Sequence, residues 1–195
     1  GELVASGTYT GAGNALTGVQ VHYGDNQFNT NRLNAYFDNW RITRGVARYT
    51  GRFIPPNQEF TAPLPVGTYA DPYWKQTVAL LQSDGLPVNA GAIIDRYGNL
   101  VTMTDATHVT VSSLRSRWGD QSLSINLNGT ATNHATLSIG PAGRADFTVE
   151  GWFYLEVPNN AVAATYGLFS YGPTSSANPF YCMTVNKPIN SVTAT

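Results

Sequence analysis

From Asn34 to Ile42 polar and apolar residues alternate, with Tyr36, Asp38, Trp40 and Ile42 on one face and Phe37, Asn39 and Arg41 on the other. A two-residue repeat is that of a strand, and it sets the Asp38 carboxylate beside an indole and an isoleucine. One short helical turn is expected at Arg44 to Tyr49, then an extended run stopped by Pro55-Pro56. Leu123, Ile125 and Leu127 alternate with Ser122, Ser124 and Asn126, which predicts a strand with one face on a core and its polar face in water. Along Phe147 to Leu155, Phe147, Val149, Gly151, Phe153 and Leu155 share one face, and Thr148, Glu150, Trp152 and Tyr154 share a half-covered other. Further strands are expected at Leu16–Tyr23, Val78–Gln82, Leu100–Thr104, Val109–Val111, Ala135–Ile139, Gly167–Tyr171 and Pro179–Val185. Helix signals are otherwise confined to Tyr73–Lys75. Many short strands divided by Gly, Pro, Asn and Ser turns predict an all-β, antiparallel β-sandwich.

Composition narrows the function classes. Charged residues make up 12 % of the 195 and the net charge is -1, so the basic stripe that nucleic-acid binding needs is missing and no nucleic-acid partner is expected. Solubility must rest on Ser, Thr, Asn, Gln and Gly, a balance that suits extracellular or virion proteins. No apolar run approaches the length of a membrane span, so membrane insertion is not expected. The one cysteine, Cys182, lies in an apolar run and reads as a small buried hydrophobe.

The stretch Y-F-D-N-W-R-I-T-R-G-V-A-R-Y-T, continuing to Phe53 and Pro55-Pro56, resembles the closing segment of laminin-G-like jelly-roll domains of the concanavalin A-like lectin/glucanase superfamily. Its R-I-T-R-G-V-A-R-Y-T wording resembles repeats in tailed-bacteriophage virion proteins. Leu3–Thr8 and Leu16–Gly24 look like the two strands that precede such an ending. Beyond the prolines, Asp71-Pro72-Tyr73 with Val78–Gly85 resembles the family's opening, followed in family order by Ile94-Asp95 with Gly98-Asn99, by the Ser112 to Gly119 loop, and by Phe147–Leu155. The resemblance implies the tail of one LamG-like repeat (1–60), a linker (61–70) and the head of the next (71–195), within a longer multi-repeat protein. The alternative is that the leading strands fold back onto those after Val78 and complete one sandwich, which loop-closure entropy permits.

Few residues invite chemistry. His22, His108 and His134 have no metal-ligand spacing and read as solvent-facing or edge-strand residues. Glycoside hydrolysis needs two carboxylates about 5–9.5 Å apart in one cleft; no D/E-x-D/E pair exists, and Asp146 with Glu150 is a weak substitute. A non-enzymatic chain is expected. Asp38, set near a core edge, and Asp84, at the end of an apolar strand, are the candidate calcium ligands. In related jelly rolls an opening-strand and a closing-strand acid can meet at one rim, and these two match those positions, though in successive repeats. The competing reading has both acids accept backbone N–H groups. The candidate glycan platforms are Trp118, Trp74 and Tyr171, whereas Trp40 and Trp152 read as core. The expected function is a structural and adhesive module of a bacteriophage virion (tail fibre, appendage or decoration protein), partnered by other virion subunits or copies of itself and by host-surface polysaccharide. The alternative is a carbohydrate-binding module of a secreted or cell-surface bacterial adhesin or a carbohydrate-active enzyme.

Overall fold

The computed structural model describes residues 19–24, 34–61, 71–87, 91–126, 133–140, 146–156, 164–173 and 181–187. They form an all-β sandwich of two antiparallel sheets, with a single 3-10 turn at Trp74–Gln76. The strands are β1 (Val19–Tyr23), β2 (Ala35–Arg44), β3 (Thr77–Leu81), β4 (Ala92–Ile94), β5 (Leu100–Met103), β6 (Val109–Ser112), β7 (Ser122–Ile125), β8 (Ala135–Leu137), β9 (Phe147–Leu155), β10 (Ala164–Pro173) and β11 (Tyr181–Lys187). One sheet runs β11-β10-β1-β8-β5-β4. In the other, β9 lines one side of β2 from Ala35 to Arg44, while β7 and β3 divide the opposite side, and β6 lies beyond β7. Among the described residues no helix is long and apolar enough to cross a membrane.

The expected break near the double proline does not hold. β2 precedes Pro55 and Pro56, yet it pairs with β3, β7 and β9, all of which follow them. β1 likewise sits between β8 and β10. Tyr23 and Trp40 pack on Phe169 of β10, and Phe37 packs on both of them, with the Tyr23–Trp40 and Trp40–Phe169 ring centroids 5.8 and 6.0 Å apart. One apolar core therefore joins residues on both sides of the junction. The reason is burial: a half-sandwich ending near residue 60 would leave the inner faces of β1 and β2 in water, and the strands after Val78 cover them. Leu3–Thr8 and most of the expected linker lie outside the described residues.

A second correction concerns β2. Registers pair Asp38 with Trp152 and Arg41 with Glu150, so Asn39 and Trp40 together oppose Gly151 alone. This is a β-bulge, with Asn39 at φ 57. The extra residue shifts the alternation by one. Ala35, Phe37, Trp40 and Ile42 join the core, while Tyr36, Asp38, Arg41 and Thr43 share the outer face. Asp38 is therefore not on the side of Trp40 and Ile42. The bulge is fixed on both sides: Asn39 Oδ1 accepts from Phe60 N and Gln82 Nε2, and a Cβ on Gly151 would come within 2.5 Å of the Trp40 ring.

Smaller differences follow from tertiary contacts. The helical turn expected at Arg44 to Tyr49 is absent: β2 runs to Arg44, Gly45 turns at φ +81, and its N–H donates to Asp146 O. β7 does not show water its serines, because Ser122 is buried and its hydroxyl donates to Arg115 O. His22 and His134 are buried and stacked at 4.8 Å rather than solvent-facing, and burial together with the neighbouring imidazole pulls His22 down to about 4. The Cys182 side chain lies outside the described part of β11.

Candidate functional site

The outer face of the β2–β9 pair divides into two ends. At the first, Arg41 and Glu150 face each other across the ladder, and Arg48, Tyr49 and Phe60 pack on them. Arg41 Nε and Nη2 donate to Glu150 Oε1 at 2.9 and 2.7 Å, Arg41 Nη1 donates to Asp71 Oδ2 at 2.6 Å, and the Arg41 guanidinium lies 3.9 Å from the Phe60 ring centre. Arg48 Nη1 donates to Asp71 Oδ1 at 2.8 Å, and the Tyr49 hydroxyl donates to Glu150 Oε2. Burial would raise the Asp71 carboxyl, but the hydrogen bonds from Arg48 and Tyr73 N–H and the charges of both arginines outweigh it, and the group sits below its ordinary value. Every charge here has a partner, so this end is a clasp. Glu150, one member of the weak catalytic pair, is held inside it.

The second end is open. Tyr36, Trp152 and Tyr154 lie under the 113–121 loop, and together they line a groove of about 540 Å³ with Asp38, Arg115 and Arg117. Ser113 and Ser116 of the loop also line it. The loop is fixed from below by two carboxylates. Asp38 Oδ2 accepts Arg117 N and Trp118 N at 2.7 and 2.9 Å, and Asp84 Oδ1 accepts Asp120 N and Gln121 N at 2.8 and 2.9 Å. The Asp84 carboxylate occupies the place a Cβ on Gly119 would need, and Gly119 has φ +63. Burial raises the Asp38 carboxyl; the N–H groups of Trp118 and Arg117 oppose that, and the charge of Asp84 adds to it.

The two acids that sequence reasoning assigned to successive repeats thus serve one loop of one sandwich. Both accept backbone N–H groups, as the competing reading required. Calcium takes six to eight oxygens, and among the described residues no group of three or more His, Cys, Asp or Glu side chains converges. Two carboxylates, each with an oxygen already bonded to the loop, fall short of that shell.

The aromatic candidates separate. Trp118 flanks the groove, half-buried and edge-on to Trp152 at 5.2 Å. Trp74 does not line it; it packs on Tyr97 with ring centres 5.7 Å apart. Tyr171 is excluded as a platform, because it is 3 % exposed, belongs to the core and donates its hydroxyl to Gly140 O. Trp152, read from sequence as core, lies half-buried on the outer face, and Tyr154 beside it is 49 % exposed. Arg115 lies 4.3 Å from the Tyr154 ring centre, and Arg117 lies 4.8 Å from Trp152 and 5.3 Å from Trp118. Tyr36, Tyr154, Arg115 and Arg117 were missed, and Trp152 was set aside as core. The available signal was two aromatics spaced by two on the polar face of β9.

Comparison of the chain with protein-family models, curated proteins and solved structures finds no match in any of the three.

Proposed function

We propose that the chain is a non-enzymatic structural and adhesive module of a tailed-bacteriophage virion that meets host-surface glycans through the groove under the 113–121 loop. The observation that carries the adhesive reading is the groove itself: aromatic rings on a sheet face, polar loop residues and two arginines along it, and a loop pre-set by four charge-assisted hydrogen bonds. Sugars offer an apolar ring face to an aromatic and hydroxyls to nearby polar groups, and a rigid site binds them with little ordering penalty. The virion half rests on the resemblance carried by residues 34–56, with other virion subunits or further copies as partners. The non-enzymatic reading is supported by Glu150, whose oxygens already serve Arg41 and Tyr49.

A glycan array tests the adhesive reading. Wild-type chain should retain a defined set of glycans, and Tyr154→Ala, at an exposed ring, should lower that retention about tenfold without changing the thermal midpoint. No retention on any glycan would reduce the chain to architecture. Mass spectrometry of purified phage particles tests the virion reading; recovery from the bacterial surface instead would favour the secreted-adhesin alternative.

A further inference from the structure

Two guanidiniums converge on the groove in a chain with only 11 lysines and arginines. Arg115 has one carboxylate partner, Glu156 at 3.3 Å, and both side chains are well exposed, so that pair exchanges readily with solvent or ligand. Arg117 has no carboxylate within salt-bridge range among the described residues. Asp38 is beside it but directs Oδ2 to the backbone N–H groups of Arg117 and Trp118, not to the guanidinium. What holds the Arg117 side chain is the pair of indoles, Trp118 and Trp152. An aromatic face fixes a cation without giving its N–H donors a conventional acceptor. The planar fork is therefore positioned with no protein acceptor among the described residues, and a carboxylate matches it bidentately.

Resting on the glycan reading above, we propose that this groove selects an acidic glycan, one bearing a sugar carboxylate, and that Arg117 is the specificity-determining contact. The sugar ring lies along Tyr154 and Trp152 while its carboxylate takes the fork of Arg117, with Arg115 released from Glu156 as a second donor. A neutral glycan would leave the fork facing water and gain only the ring contacts.

The test uses matched pairs: uronic-acid polysaccharides of several linkages, each beside its carboxyl-reduced, neutral counterpart, titrated calorimetrically against the full chain. The expected result is at least tenfold tighter binding of the acidic member of one or more pairs, weakened as sodium chloride rises from 50 to 500 mM. Arg117→Gln should remove that preference, and Arg117→Lys should restore only part of it, because an ammonium keeps the charge and loses the fork. Equal binding of both members, unaffected by Arg117→Gln, would overturn this inference and leave the glycan reading standing. Binding of neither member of any pair, together with an empty array, would overturn both.

Discussion

The two ends of the β2–β9 pair are built from the same materials and put to opposite use. At the clasp, Arg41 and Arg48 have side chains only 7 % exposed and lie against Glu150 and Asp71. At the groove, Arg115 and Arg117 rest on aromatic rings, and the ion pair described there is the exposed one of Arg115 with Glu156. Removing water makes the difference. Buried guanidiniums must be paired, since an unpartnered buried charge is strongly destabilising. Exposed ones on a ring need no partner and keep their donors for something else. The bulge at Asn39 lies between the two ends and sets which residues of β2 face each.

This contrast can be broken in several ways. Glu150→Ala strips the shared acceptor from Arg41 and Tyr49 and should destabilise the fold by about 3–5 kcal/mol in urea denaturation; a loss no larger than that of a surface pair would show that the clasp is ornamental. Gly151→Ala forces a methyl onto the Trp40 ring at the bulge and should cost about 1–3 kcal/mol by the same measurement.

Acid should separate the ends by sign. The folded carboxyl of Asp71 titrates below its ordinary value. Its contribution is thus complete above the unfolded value, near 4, and is lost as pH falls through the lower folded value. Asp38 is raised in the folded state, so the folded chain holds its proton longer and the contribution of this group weakens as pH rises from about 4 through the folded value. Thermal midpoints from pH 2.5 to 7 should therefore show a shallower acid-side loss in Asp71→Asn and a steeper one in Asp38→Asn. The same sign for both would sink the distinction. Least of all, Arg115→Ala should change stability by no more than about 0.5 kcal/mol, against the large effect at Glu150.

Much of the framework was legible along the chain. The alternation in Ser122–Ile125 and Phe147–Leu155 located β7 and β9, because only an extended chain turns every second side chain to the same face. β4 was missed: three residues, Ala92–Ile94, followed by a turn in which Asp95 accepts the N–H groups of Leu80, Tyr97 and Asn99, are too short to show a period. The facing of β2 was misread beyond Asp38, since one inserted residue reverses every side chain after it and leaves composition unchanged. Tyr171 looked like a surface aromatic among serines and glycines, yet β10 turns it to the core, while the outer face of β9 keeps Trp152 and Tyr154.

By itself, the order of residues determined strand content, the antiparallel sandwich and the scarcity of charge, because each of these is a local or compositional property. Only the tertiary structure decided that strands on either side of the double proline share one interior. It alone set which face of β2 carries Asp38, and which arginines are neutralised and which stand ready. Those outcomes depend on what covers a residue from distant parts of the chain, and a carboxylate or a ring far along the sequence leaves no mark on the neighbours it will meet.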